Sequence, residues 1–285
     1  PFLTIPETKK FQTAMKGWAA IGANMYIWDY TVNFSHYSAP MPNMQVVAED
    51  IKFFINHNAK GVMLQGAYQG AGSSDGVMKS WVWAKQLWDP KRDTWSLIKD
   101  FTYGYFGSSA EPMLEYQKMM WNKWEKEHHT ILKSPTDGIR YRMDPPIFTK
   151  AFLDKADSLF EKARNMASDA ETLRRVELAE LAILYVELSQ DLNSMIQKGE
   201  LADRDKFNKI LDKFDKVAHK EGVNYLWEGG AGLDEWLTRL RRLATEDPSK
   251  SQQFKTKVGQ SDVNIIRLPA RCKCAIDTDN NGAAN

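Results

Sequence analysis

Met25-Tyr26-Ile27-Trp28-Asp29-Tyr30 and Lys60-Gly61-Val62-Met63-Leu64-Gln65 decide the fold class. Each is a short apolar run that turns polar at its C-terminal end, which is the signature of a strand. The second is expected to be a buried strand. Helical patterns surround both. Lys9 to Ile21 sets Phe11, Met15, Trp18 and Ala19 on one face. Asn43 is placed as the N-cap of a helix from Met44 to His57 that turns Val47, Ile51, Phe54 and Ile55 inward. A glycine-rich loop, Gly66 to Gly76, leads from the second strand into a helix at Val77 to Leu87. Asp93 caps a further helix that ends at Gly104 to Gly107. Strand–helix–strand–helix order predicts two parallel strands, side by side, joined by a right-handed crossover.

Beyond residue 110 the pattern is helical. Glu111 to Leu132 carries Met113, Tyr116, Met120 and Trp124 at helical spacing. Gly138 to Pro146 is a break. Helices follow over Phe148 to Met166, over Ala170 to about Ile196 with Asp169 as cap, over Asp205 to His219, and over Leu233 to Leu243. Long amphipathic helices with short connections predict an antiparallel bundle. The tryptophans of the Trp81 helix, with Trp121 or Trp124, are expected at the seam between the two parts, and Trp81, Trp83 and Trp88 read as packing residues. The division is therefore 1–107 as an α/β segment with two parallel strands, 108–245 as a helical domain, and 246–285 as a tail or linker.

Composition narrows the function. The chain has 285 residues, 43% hydrophobic and 26% charged, which is ordinary for a globular protein. Lys plus Arg total 38 against 37 Asp plus Glu, so the net charge of +1 gives no electrostatic reason to seek nucleic acid. No apolar run approaches the ~20 residues of a membrane span. Pro1 is not preceded by Met or by a basic-then-apolar leader, so the chain reads as a processed product or a piece of something longer. Cys272 and Cys274 read as two tail thiols, and no cofactor or metal is expected. Asp277 to Gly282 starts like a calcium loop but lacks the closing glutamate. His128-His129 reads as solvated.

The aromatic content is less ordinary, with 10 Trp in the chain. Sugars offer apolar ring faces and many hydroxyls, which flat aromatics and Asn, Gln or Asp side chains can match. Trp28, Tyr30, Asn33, Gln65 and Tyr68 stand at or just past the two strand ends and make this mixture. Alternation puts Tyr26, Trp28 and Tyr30 on one face of the strand, with Ile27 and Asp29 on the other. Trp28 fits a pocket wall or a core position. Asp29 fits a catalytic or substrate-holding carboxylate, and equally a structural anchor for the next loop. Asp75 sits in the glycine-rich loop, a poor place for exact geometry. Glycoside hydrolysis needs two carboxyl groups, and Asp29 alone stands clearly at a strand end.

The two strand segments, with Gly66-Ala67-Tyr68 after the second, are followed by Trp81-Val82-Trp83-Ala84-Lys85-Gln86-Leu87-Trp88-Asp89-Pro90 and then Phe101, Tyr105, Phe106 and Gly107. In this order, over about residues 10–190 and including Arg174-Arg175-Val176-Glu177, they resemble a bacterial family of domains of unknown function, number 4838. The resemblance implies a mixed α/β, mostly helical chain: the C-terminal βα units of a (β/α)8-type barrel related to α-glucuronidases and hexosaminidases, then an antiparallel helical domain. It implies carbohydrate as ligand and a secreted, periplasmic or outer-surface location. The principal carboxylates of such barrels come from earlier strands. The expected function is thus the C-terminal part of a glycoside hydrolase, incomplete for catalysis and completed by upstream polypeptide or another chain. The alternative is a non-catalytic carbohydrate-binding or scaffold module.

Overall fold

The computed structural model describes residues 8–131, 148–198, 201–230 and 232–245. Cys272, Cys274, Asp277 to Gly282 and the break at Gly138 to Pro146 lie outside the described residues, as do the side chains of His128 and His129. The chain is mixed α/β and mostly helical. Its elements are α1 (Lys9–Ala20), β1 (Met25–Tyr30), α2 (Met44–Asn56), β2 (Ala59–Gln65), α3 (Gly76–Trp88), α4 (Thr94–Phe106), a 3-10 turn (Gly107–Ser109), α5 (Ala110–Ile131), α6 (Lys150–Met166), α7 (Ala170–Lys198), α8 (Arg204–Lys220) and α9 (Leu233–Thr245).

The two strands are parallel neighbours, as the sequence pattern predicts. Tyr26 stands opposite Gly61 and Tyr30 opposite Gln65, with a register slip between Met25 and Tyr26. The crossover is α2, whose apolar stripe of Val47, Ile51 and Phe54 is buried. Asn43 does not cap α2 through its side chain. Its amide nitrogen donates instead to the carbonyl of Thr31 at 3.2 Å, tying the start of α2 to the end of β1. Asp93 and Asp169 do cap: Asp93 accepts from the Ser96 N–H at 2.7 Å and Asp169 from the Thr172 N–H at 2.8 Å. Each such cap contributes about 1 kcal/mol.

One core runs from α2 to α9 and across residue 107. It joins Met44, Val47 and Ile51 to Val82, Trp83, Leu97, Tyr116, Phe160, Leu184, Phe214 and Leu240. Trp83 and Trp124 are buried. Trp81 meets Phe101 at 5.8 Å, and Trp95 meets Trp121 edge-on at 5.4 Å between α4 and α5. Each fully buried aromatic contributes about 1.5–3 kcal/mol. Glu180 of α7, almost wholly buried, accepts from Arg164 of α6 and from Lys213 of α8, so one carboxylate ties three helices.

Around the strands the expected burial fails. A separate, smaller core joins Met15 and Met25 to Phe53 and Phe54. No residue of β2 is buried. Ile55, expected inward, is exposed, Trp18 on the apolar face of α1 is exposed too, and Trp88, expected to pack, is 92% exposed. The physical reason is shared by the strands and α1. A helix or strand buries its apolar side only where another element covers it, and among the described residues the two-stranded sheet has one covered face.

Candidate functional site: the open face of the sheet

Side chains alternate along a strand, and paired residues in a parallel ladder point the same way. Met25, Ile27, Asp29, Val62 and Leu64 therefore share the face toward the helices. Tyr26, Trp28 and Tyr30 share the other face with Gly61, Met63 and Gln65. That second face is open: Tyr26 is 80% exposed and Trp28 is 63% exposed. Successive rings on it stand about 6.6 Å apart along the strand.

The open face is ordered by its own contacts. The Tyr26 ring lies over Gly61, where a Cβ would come within 2.9 Å of it. The Trp28 indole N–H donates to Gln65 Oε1 at 2.7 Å, across the two strands. Tyr30 meets Phe34 edge-on at 5.5 Å. Of the residues picked from sequence, Trp28, Tyr30 and Gln65 thus come together, and Tyr26 joins them. Tyr68 is exposed in the loop after β2. Asn33 is buried, and its Oδ1 accepts from the Ser35 N–H at 3.0 Å, which shapes the turn after β1 and leaves it away from solvent.

Asp29 faces the helices. Its Oδ1 accepts from the Tyr30 N–H at 2.8 Å. Burial pushes its carboxyl up, and the Tyr30 hydrogen bond opposes that shift. Close by is Asp50 of α2, only 6% exposed, with Oδ1 lacking a hydrogen-bond partner among the described residues. Burial, reinforced by the neighbouring Asp29 charge, pushes Asp50 up to about 8. Asp50 therefore keeps its proton at neutral pH. A visible signal existed: Asp50 lies on the inward stripe of Val47, Ile51 and Phe54, where a carboxylate is costly. The two carboxyls lie on the covered side of the sheet from the aromatic row. They cannot flank a sugar lying on that row, as acid and base must.

The loop after β2 is held firmly. Ser38 donates to the Gly72 carbonyl at 3.0 Å, and the Ser74 N–H to the Tyr37 carbonyl at 3.1 Å. Gly72 has φ +90°, and a Cβ there would meet Val223 at 2.5 Å, so glycine is required for the close approach. Asp75, expected to be loosely placed, is half-buried at the start of α3 and accepts from Gln117 at 2.9 Å. His36 is likewise structural. Its Nδ1 bonds the Tyr185 hydroxyl at 2.8 Å, and burial pushes it down to about 4, so it stays neutral.

Among the described residues no helix is long and apolar enough to cross a membrane. No curated protein and no solved structure matches the chain. Residues 3–118, which carry both strands, the open aromatic face and α3, match the family model of a domain of unknown function, DUF4838.

Proposed function

We propose that the chain binds glycan across the open face of its sheet and forms the C-terminal part of a glycoside-hydrolase-like (β/α)8 barrel. The observation that carries this reading is the exposed row Tyr26, Trp28 and Tyr30 with Gln65 hydrogen-bonded into it. Parallel sheets are normally covered on both faces and paired at their edges. A two-stranded parallel sheet with bare aromatics therefore suits a larger sheet completed by further strands, from the same polypeptide or another chain. In a barrel the open face becomes the lumen, where the rings stack on sugar and the Gln65 amide reaches hydroxyls. Catalytic carboxylates then come from the added strands, because Asp29 is turned toward α2. A glycan ligand fits a secreted, periplasmic or outer-surface protein.

The orientation of Asp29 also favours a second reading, a carbohydrate-binding module that performs no hydrolysis. One experiment addresses both. Neutral and uronate-containing oligosaccharides are titrated calorimetrically into the chain, and reducing ends are counted. The reading expects binding that Trp28→Ala weakens about tenfold or more, with no turnover. Absence of binding to every glycan would end the binding claim. Robust turnover abolished by Asp29→Asn would make Asp29 a catalytic group and overturn the incomplete-site argument. An extended chain carrying the upstream strands separates the two readings: turnover there supports the hydrolase, retained inactivity the binding module.

A further inference from the structure

Behind the sheet, on the side away from the aromatic row, lies a cavity of about 810 Å³. It is walled by the end of β2, the loop to α3, α3 itself, α4 and α7. Its volume falls in the range of small-molecule sites. Much of the wall is apolar, with Leu64, Trp83, Phe101 and Leu178 among the lining residues. Such a space, if nothing fills it, forgoes the contacts that a packed core would make.

Lys79 lines this cavity from the first turns of α3 and is only 2% exposed. Among the described residues its Nζ has no hydrogen-bond partner. A buried ammonium carries three donors, and leaving them unmade is costly. Its near charge is Asp75, one turn earlier, which Gln117 already engages. A second cation stands on the same wall: the Arg175 guanidinium lies 4.5 Å over the Tyr105 ring and donates to the Tyr105 carbonyl. Arg175 is already paired with Glu171 at 3.0 Å, so Lys79 is the cation on this wall that still needs acceptors. Burial holds the Lys79 ammonium down to about 8, so it still carries its charge at neutral pH.

We infer that this cavity is a binding site for a small molecule with an apolar body and one carboxylate, the carboxylate accepting from Lys79 Nζ. The apolar body fills the space between α3, α4 and α7. The carboxylate supplies the acceptors that Lys79 lacks, and charge-assisted hydrogen bonds of this kind are the strong ones. A neutral isostere of the same body gains the apolar contacts alone. This site does not depend on the glycan reading, because its recognition rests on Lys79 and none of Tyr26, Trp28, Tyr30 and Gln65 lines it.

The test uses 4-phenylbutyrate and 4-phenylbutan-1-ol, titrated calorimetrically into the whole chain. The wild type is expected to bind the carboxylate at least tenfold more tightly than the alcohol. Lys79→Met should bring the carboxylate down to the affinity of the alcohol. Lys79→Gln, which keeps donors without the charge, provides the same comparison should the Met variant fail to fold. Leu178→Trp, which fills the cavity, should weaken both probes. Absence of binding, equal affinity of the two probes for the wild type, or a preference that survives both Lys79 variants would overturn the inference. Loss of phenylbutyrate binding in Trp28→Ala would place the probe on the open sheet face and overturn it as well.

Discussion

In α7, Val176, Leu181, Leu184 and Leu188 are all buried, whereas β2 buries nothing and β1 holds Tyr26 and Trp28 in solvent. The helices from α2 to α9 close on one another around one core. Each helix from α5 to α9 packs on its neighbour in sequence, and Glu180 ties three of them. Among the described residues the sheet closes on one side only. Apolar residues of similar type therefore have opposite fates, set by whether another element lies across from them. The lesson is that the helices owe their burial to one another, while one face of the sheet has no element across from it among the described residues.

The largest expected effect breaks this comparison if it fails. Phe160→Ala, in the centre of the helical core, should destabilise by about 3–5 kcal/mol. Trp28→Ala, removing a larger ring from the open face, should change stability by less than about 0.5 kcal/mol. Urea unfolding measures both. A similar loss for the two variants would mean that the aromatic row is part of the packed structure.

The covered side of the sheet gives the next effect. Asp50 binds its proton more tightly in the folded chain than in the unfolded one. Stability is then greatest below the ordinary carboxylate range, falls as pH rises toward 8, and levels off above it. Asp50→Asn should remove this decline and stabilise the chain at pH 9 by roughly 2 kcal/mol. Unfolding curves at pH 5, 7 and 9 show it, and a decline unaltered by the substitution would assign it to other groups.

Hydrogen exchange sharpens the comparison further. Amides of β1 and β2 should exchange by local opening, well before those in the middle of α7, which should exchange near the global limit. Equal protection would show that sheet and helices unfold as one unit. The smallest effect is at Gly61. A Cβ there meets only the ring of the exposed Tyr26. The ring can swing aside into solvent, so Gly61→Ala should cost no more than about 1 kcal/mol by urea unfolding.

The strands, their parallel pairing and most helices were legible because hydrophobic period and caps are local signals. Asp93 and Asp169 announce their helices by position alone. Trp28, Tyr30 and Gln65 could be placed together because alternation along a strand fixes which residues share a face. What was not legible is what covers each face. Trp88 and Ile55 look like packing residues from spacing, and they are exposed because no element lies opposite them among the described residues. Asn33 stands past a strand end like a binding residue, but its side chain is used by the turn. Lys79 next to Met78 on an apolar helix face was a readable hint, because a lysine there must either find a partner or border a cavity.

The central claim, that the open face of the sheet meets glycan, is tested most directly by following the indole N–H of Trp28 by NMR, assigned with Trp28→Phe. That proton is donated to Gln65 in the free chain. On saturation with a glycan that binds calorimetrically, the account predicts that the Trp28 resonance moves while that of the buried Trp83 stays in place. A glycan that binds, shifts other indoles and leaves Trp28 untouched would contradict it.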